Sequence, residues 1–148
     1  MAKSRYKEPQ SSPEQVFVET VIKGIGQLFN LLFGRKSAID SAAITKIRAN
    51  WSEVEAHVAQ ESTRALAVSE ADKLLDAAMQ INGITGTTMG ERLKAAEDRF
   101  PHTLYQQIWD AHKLRNHLAH EVGASVTVAE AQQAVAAFRE GMGKLGVL

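Results

Sequence analysis

Ile108-Trp109-Asp110-Ala111-His112-Lys113-Leu114-Arg115-Asn116-His117-Leu118-Ala119-His120-Glu121-Val122 is the stretch that decides the fold. A helix turns by about 100° per residue, so spacing alone assigns its faces. Leu104, Ile108, Ala111, Leu114, Leu118 and Val122 fall on one apolar stripe, the face expected to pack. His112, Asn116 and His120 stand at i, i+4 and i+8 and form a polar line along one flank, with Trp109 beside them. Arg115 lies at the edge of the apolar stripe on the side of that line. Its guanidinium cannot lose its charge and needs a carboxylate, carbonyl or phosphate partner. Glu70 and Asp76 are the candidate carboxylates. An Arg, an Asn and two His on one flank have the chemistry of an anion or phosphate site.

Outward from this helix, the chain reads as helix throughout. Ser37, with Asp40 at N3, opens a helix to about Ala59 whose Ile44, Ile47, Trp51, Val54 and Val58 make a stripe. A third helix, to about Ile81, is expected to bury Ala67, Ala71, Leu74, Leu75 and Ala78 and to expose Glu70, Asp72, Lys73 and Asp76. Gly83 and Gly86 mark a loop. Thr88 with Glu91 fits a capping box for a short helix ended by Phe100-Pro101. Thr103 with Gln106 is the expected cap of the long helix, and Gly123 its expected stop. Thr127 with Glu130 caps the last helix, where Val128, Ala131, Val135, Phe138, Met142 and Leu145 alternate by 3 and 4. Four long amphipathic helices with short connections predict an all-α, up-down four-helix bundle over residues 37–148.

Residues 1–12 are polar and basic and read as a disordered tail. Ser12-Pro13-Glu14-Gln15 then starts an additional, very apolar helix over 13–34, with Glu19, Lys23, Gln27 and Asn30 in one narrow polar stripe. Three readings of it stay open: packing in the core or a dimer seam, lying on a membrane surface through residues 13–36, and spanning a bilayer. Basic residues at both ends suit the second. Glu19 and Lys23 argue against the third and fit the rim of a helix–helix seam.

The chain has 148 residues, 45% apolar and 23% charged, which is the make-up of one globular domain. Its 17 basic and 17 acidic residues cancel, so polyanion binding requires a local patch. The lack of cysteine excludes disulfides, thiolate metal sites and thiol catalysis. No secretory signal is expected, because the apolar run starts late and lacks a small-residue cleavage site. The Gly83, Gly86, Gly90 loop lacks the Lys-Ser/Thr of a P-loop, and no cofactor is called for. His112, His117 and His120 have no carboxylate at ligand spacing, so no metal site is expected. His57 and His102 are isolated and read as solvated or capping residues.

Arg115-Asn116-x-x-x-His120 resembles the R-x(4–6)-H motif of the HEPN family (higher eukaryotes and prokaryotes nucleotide-binding). Glu70-Ala71-Asp72-Lys73-Leu74-Leu75-Asp76, Gly90-Glu91-Arg92-Leu93-Lys94, Trp109 to Asn116 and Ala119-His120-Glu121 look like the context of that motif in small bacterial members. The resemblance runs from about Ile44 to Leu148. It implies a helical homodimer whose Arg/His motifs face each other and, in active members, cleavage of RNA without metal. Arg115 would stabilise the phosphorane, His120 would be general base or acid, and Asn116 would orient His120 or the phosphate. His112, Lys113 and His117 are the candidate substrate contacts. One toxin-like branch has Tyr two residues after the His, where this chain has Val122. The expected location is the cytoplasm, with membrane association through residues 13–36 as an option. The rival reading is a non-enzymatic interaction or membrane-associated scaffold, with Arg115 and His120 structural.

Overall fold

The computed structural model describes residues 41–148. The tail expected at 1–12, the apolar helix expected at 13–34 and the helix start expected at Ser37 fall outside the described residues. Those residues form an all-α helical bundle with no strand among them. Helix α1 covers residues 41–57, α2 Arg64–Ile81, α3 Met89–Ala95, α4 His102–His120 and α5 Val128–Lys144, with a 3₁₀ turn at Glu97–Arg99. None of these helices is long and apolar enough to cross a membrane.

Apolar spacing explains the core. On α1, Ile47, Trp51 and Val54 are buried, as their 3,4 alternation requires. On α5, Ala131, Ala134, Val135, Phe138 and Met142 are buried, while Val128 at its start is exposed. Helix α5 packs on both α2 and α4, and α2 also packs on α4. Arg48 Nε donates to the Val147 carbonyl at 2.7 Å and Arg139 pairs with Glu55, which ties α1 to the C-terminal end.

Both expected capping boxes are formed. The Thr88 hydroxyl accepts from Glu91 N–H and the Thr127 hydroxyl from Glu130 N–H, and each Glu reaches back to the cap N–H. Backbone N–H groups of Thr87 and Thr88 hold the Glu91 carboxyl below its ordinary value of 4.5. The hydroxyl and backbone N–H of Thr127 do the same for Glu130. A folded value below the unfolded one means that the ionised form is bound better in the native state. The boxes therefore stabilise fully above about pH 4.5 and lose that contribution as pH falls through the lowered values. Thermal melts of wild type and a Glu91→Gln/Glu130→Gln double variant are expected to differ at pH 7, with the gap narrowing as pH falls below about 4.5. A gap that stays constant or widens on acidification would refute this assignment.

Several expected boundaries and faces are corrected. Helix α4 begins directly after Pro101, whose φ of −54° and ψ of 142° hold it extended, so Thr103 lies inside the first turn and caps nothing. The helix ends at His120 with Glu121 as C-cap, and Gly123, at φ 81°, serves a turn beyond it. Val122 is consequently off the helix and fully exposed rather than in the apolar stripe. Asp72, assigned by spacing to the solvent face of α2, is 3% exposed. His112, assigned to a polar flank, is buried as well.

Candidate functional site

Two helices build the site. Val68, Asp72, Leu75 and Met79 stand at i, i+4, i+7 and i+11 on α2, so Asp72 is carried into the core on an otherwise apolar stripe. On α4, Tyr105, Ile108, His112 and Arg115 stand at i, i+3, i+7 and i+10 and meet it. A buried carboxylate requires paired donors. Asp72 has them: its Oδ1 accepts from His112 Nδ1–H at 2.8 Å, and its Oδ2 lies 3.5 Å from Arg115 Nε. The second contact is an ion pair without a hydrogen bond, and Arg115 Nε, a buried atom, has no hydrogen-bond acceptor.

Asn116 closes the ring. Arg115 Nη1 donates to Asn116 Oδ1 at 2.9 Å, and Asn116 Nδ2 stands 3.2 Å from His112 Nε2. The polarity of this ring follows from Arg115, which can only donate. It fixes Asn116 with its oxygen toward the guanidinium and its N–H toward His112. Nε2 must then be the acceptor, and the proton of a neutral His112 sits on Nδ1, facing Asp72. Trp109 meets the His112 ring edge-on, with centroids 5.9 Å apart, and holds its plane.

The ring forms one wall of a cleft of about 420 Å³, closed on the other side by Thr88, Met89 and Gly90 at the start of α3. Arg92 anchors that side. Its guanidinium binds Asp76 through two hydrogen bonds at 2.6 and 2.8 Å and also reaches the Gly86 carbonyl. Hydrogen bonding to Asp76 raises the Arg92 value still further. Asp76 is thus committed to Arg92, and the carboxylate beside Arg115 is Asp72, not Glu70 or Asp76. Glu70 pairs with Lys73 at 2.7 Å.

The expected site residues divide into two groups. Arg115, Asn116 and His112 come together at the cleft. Lys113 is exposed and paired with Asp110 at 2.7 Å, and His117 is exposed and paired with Glu121 at 3.0 Å. His120 is the exposed last residue of α4. It stands five positions after Arg115, about 140° around the helix and about 7.5 Å along it. Arg115 and His120 of one chain therefore do not share the cleft. Spacing missed Asp72, although its place between Val68 and Leu75 on the apolar stripe was a signal. The Gly-rich loop also divides: Gly83, at φ 74°, follows the end of α2, whereas Gly90 sits within α3 opposite His112. Among the described residues no group of three His, Asp or Glu side chains is placed to hold a metal ion.

A fixed cation with part of its side chain exposed, beside an imidazole and an amide, can receive a phosphate or carboxylate. Set beside known proteins, the chain matches no family model, no curated protein and no solved structure.

Proposed function

We propose that this chain is a HEPN-like, four-helix protein that binds RNA or a nucleotide and acts as a metal-independent endoribonuclease when dimeric, through Arg115, Asn116 and His120. The observation that carries the reading is the pinned guanidinium. Arg115 is held by Asp72 and Asn116 at a cleft wall, with 27% of its side chain exposed. A cation already oriented needs little reorganisation to meet developing charge on a phosphorane. His120 is solvent-accessible at the end of the same helix and offers an imidazole there. Its separation from Arg115 suits a site completed by a second copy of the chain.

A specific observation also favours a second reading. Arg115 is satisfied in part by its own chain, as a structural residue of a non-enzymatic interaction module would be. The experiment separates the two. Purified full-length protein is incubated with single-stranded RNA in EDTA, and the ends are analysed. Cutting that leaves 2′,3′-cyclic phosphate, reduced by roughly 10²–10⁴ in His120→Ala, is the expected result. Equal cutting by both proteins, or none by either, would leave the interaction module as the reading.

A further inference from the structure

We propose that His112 is a second catalytic residue of this site, the base that takes the 2′-OH proton, with Asp72 as its positioning carboxylate. The proposal rests on the ribonuclease reading above and assigns the base within it. His112 and Arg115 stand at i and i+3, so they share one face of α4 and one cleft. A base and a phosphate clamp that act on one phosphodiester have to be neighbours. His120 stands eight residues beyond His112, about 12 Å along the axis, which suits it to the acid step from a second copy.

Three details equip His112 for the role. Asp72 holds Nδ1–H at 2.8 Å and leaves Nε2 as the basic nitrogen, the arrangement by which a carboxylate selects the tautomer of a working histidine. Gly90 opposite it has no side chain: a Cβ there would stand 3.9 Å from His112 Nε2 and 3.6 Å from the Trp109 ring, in the approach to the nitrogen. Asn116 covers Nε2 through the longest hydrogen bond of the ring, at 3.2 Å. A phosphate oxygen that takes Arg115 Nη1 removes the partner of Asn116 Oδ1, so that amide is freed to turn away. Binding of the phosphate then uncovers the base.

The step balances without a cofactor. The 2′-OH gives its proton to His112 Nε2 as its oxygen forms a bond to phosphorus. The P–O5′ bond breaks, and the leaving oxygen takes a proton from the His120 imidazolium. Solvent then carries the proton from His112 and restores that of His120.

The test compares wild type, His112→Gln, Gly90→Ala and Asp72→Asn in RNA cutting, with thermal melts of each full-length protein. His112→Gln is expected to lower kcat by roughly 10²–10⁴. Gly90→Ala places a methyl group over Nε2 inside a helix, where alanine is favoured. It is expected to melt no lower than wild type and to lose about tenfold in kcat/KM. In Asp72→Asn, Arg115 claims the amide oxygen and turns the amide N–H toward Nδ1, in competition with the Asn116 N–H that faces Nε2, so the tautomer reports which of the two selects it. Imidazole nitrogen NMR should then report Nδ1–H in wild type and Nε2–H in the variant. Wild-type cutting that survives in folded His112→Gln, or in Gly90→Ala should the first fail to fold, would overturn the assignment and leave the ribonuclease reading standing. An unchanged tautomer in Asp72→Asn would remove Asp72 from its role. Absence of cutting by wild type would overturn the reading and the assignment together.

Discussion

Replacing Asp72 by alanine is expected to lower the stability of the protein by about 3 kcal/mol, among the largest effects any single surface-independent side chain of the site can have. The physical cause is what remains behind. His112 Nδ1–H loses its only acceptor, and the Arg115 guanidinium loses the charge that compensates it. A buried pair broken on one side costs about 3–5 kcal/mol. Partial exposure of Arg115 lets water screen it and argues for the low end. The melting temperature should fall by roughly 10 °C. His120→Ala, at an exposed helix end, should stay within about 0.5 kcal/mol of wild type. A double variant, Asp72→Ala with Arg115→Met, should recover part of the loss, because the stranded cation goes with its partner. Urea denaturation of the four proteins measures all of this. A loss below about 1 kcal/mol in Asp72→Ala would show that the ring contributes little to the fold.

The two capping boxes were legible in the sequence because capping is local: Thr88 and Glu91, or Thr127 and Glu130, meet within one turn whatever the rest of the chain does. The buried stripes of α1 and α5 were legible for the same reason, since periodicity reports which face packs. Periodicity does not report where a polar residue goes when it interrupts such a stripe. Asp72 and His112 both occupy packing positions, and each looks like an exposed polar residue until the other is placed against it. Their pairing spans 40 positions of sequence, beyond anything helix spacing can connect.

Arg115 shows the same division. Its need for a carboxylate followed from its chemistry, but the candidates on α2 were Glu70 and Asp76, and Asp72, set by spacing on the solvent face, was not among them. The outcome depended on Arg92, which takes Asp76, and Lys73, which takes Glu70. The end of α4 was misjudged for a different reason. The apolar positions of the stripe continue to Val122, yet nothing in the described residues packs against it there, and the helix stops two residues earlier. Amphipathic spacing can outrun the helix that it describes.

Phe138→Ala should match or exceed the loss in Asp72→Ala, at about 3–5 kcal/mol, and should do so without touching the site. Phe138 is fully buried and heads the largest such side chains of the core. One turn further along α5, a Cβ on Gly141 would stand 2.9 Å from Ile108 Cδ1 and 3.3 Å from Leu75 Cδ1, so α2, α4 and α5 meet there with no room to spare. A cavity beside such a junction cannot collapse easily, which places the cost in the upper part of the range for large-to-small changes. Helix α5 is also the surface on which both α2 and α4 rest, and those helices carry Asp72 and His112 respectively. The midpoint of urea unfolding should therefore drop sharply with little change in slope. Phe138→Leu, which keeps most of the volume, should lose much less. If the proposed ribonuclease reading holds, the molecules that stay folded at 25 °C should cut RNA at the wild-type rate per folded chain, because the Asp72–His112–Asn116–Arg115 ring is intact in them. In Asp72→Ala the folded molecules should not, since His112 has lost the acceptor that selects its tautomer. Equal specific activity of the two variants, normalised to the folded fraction, would show that Asp72 serves the fold alone.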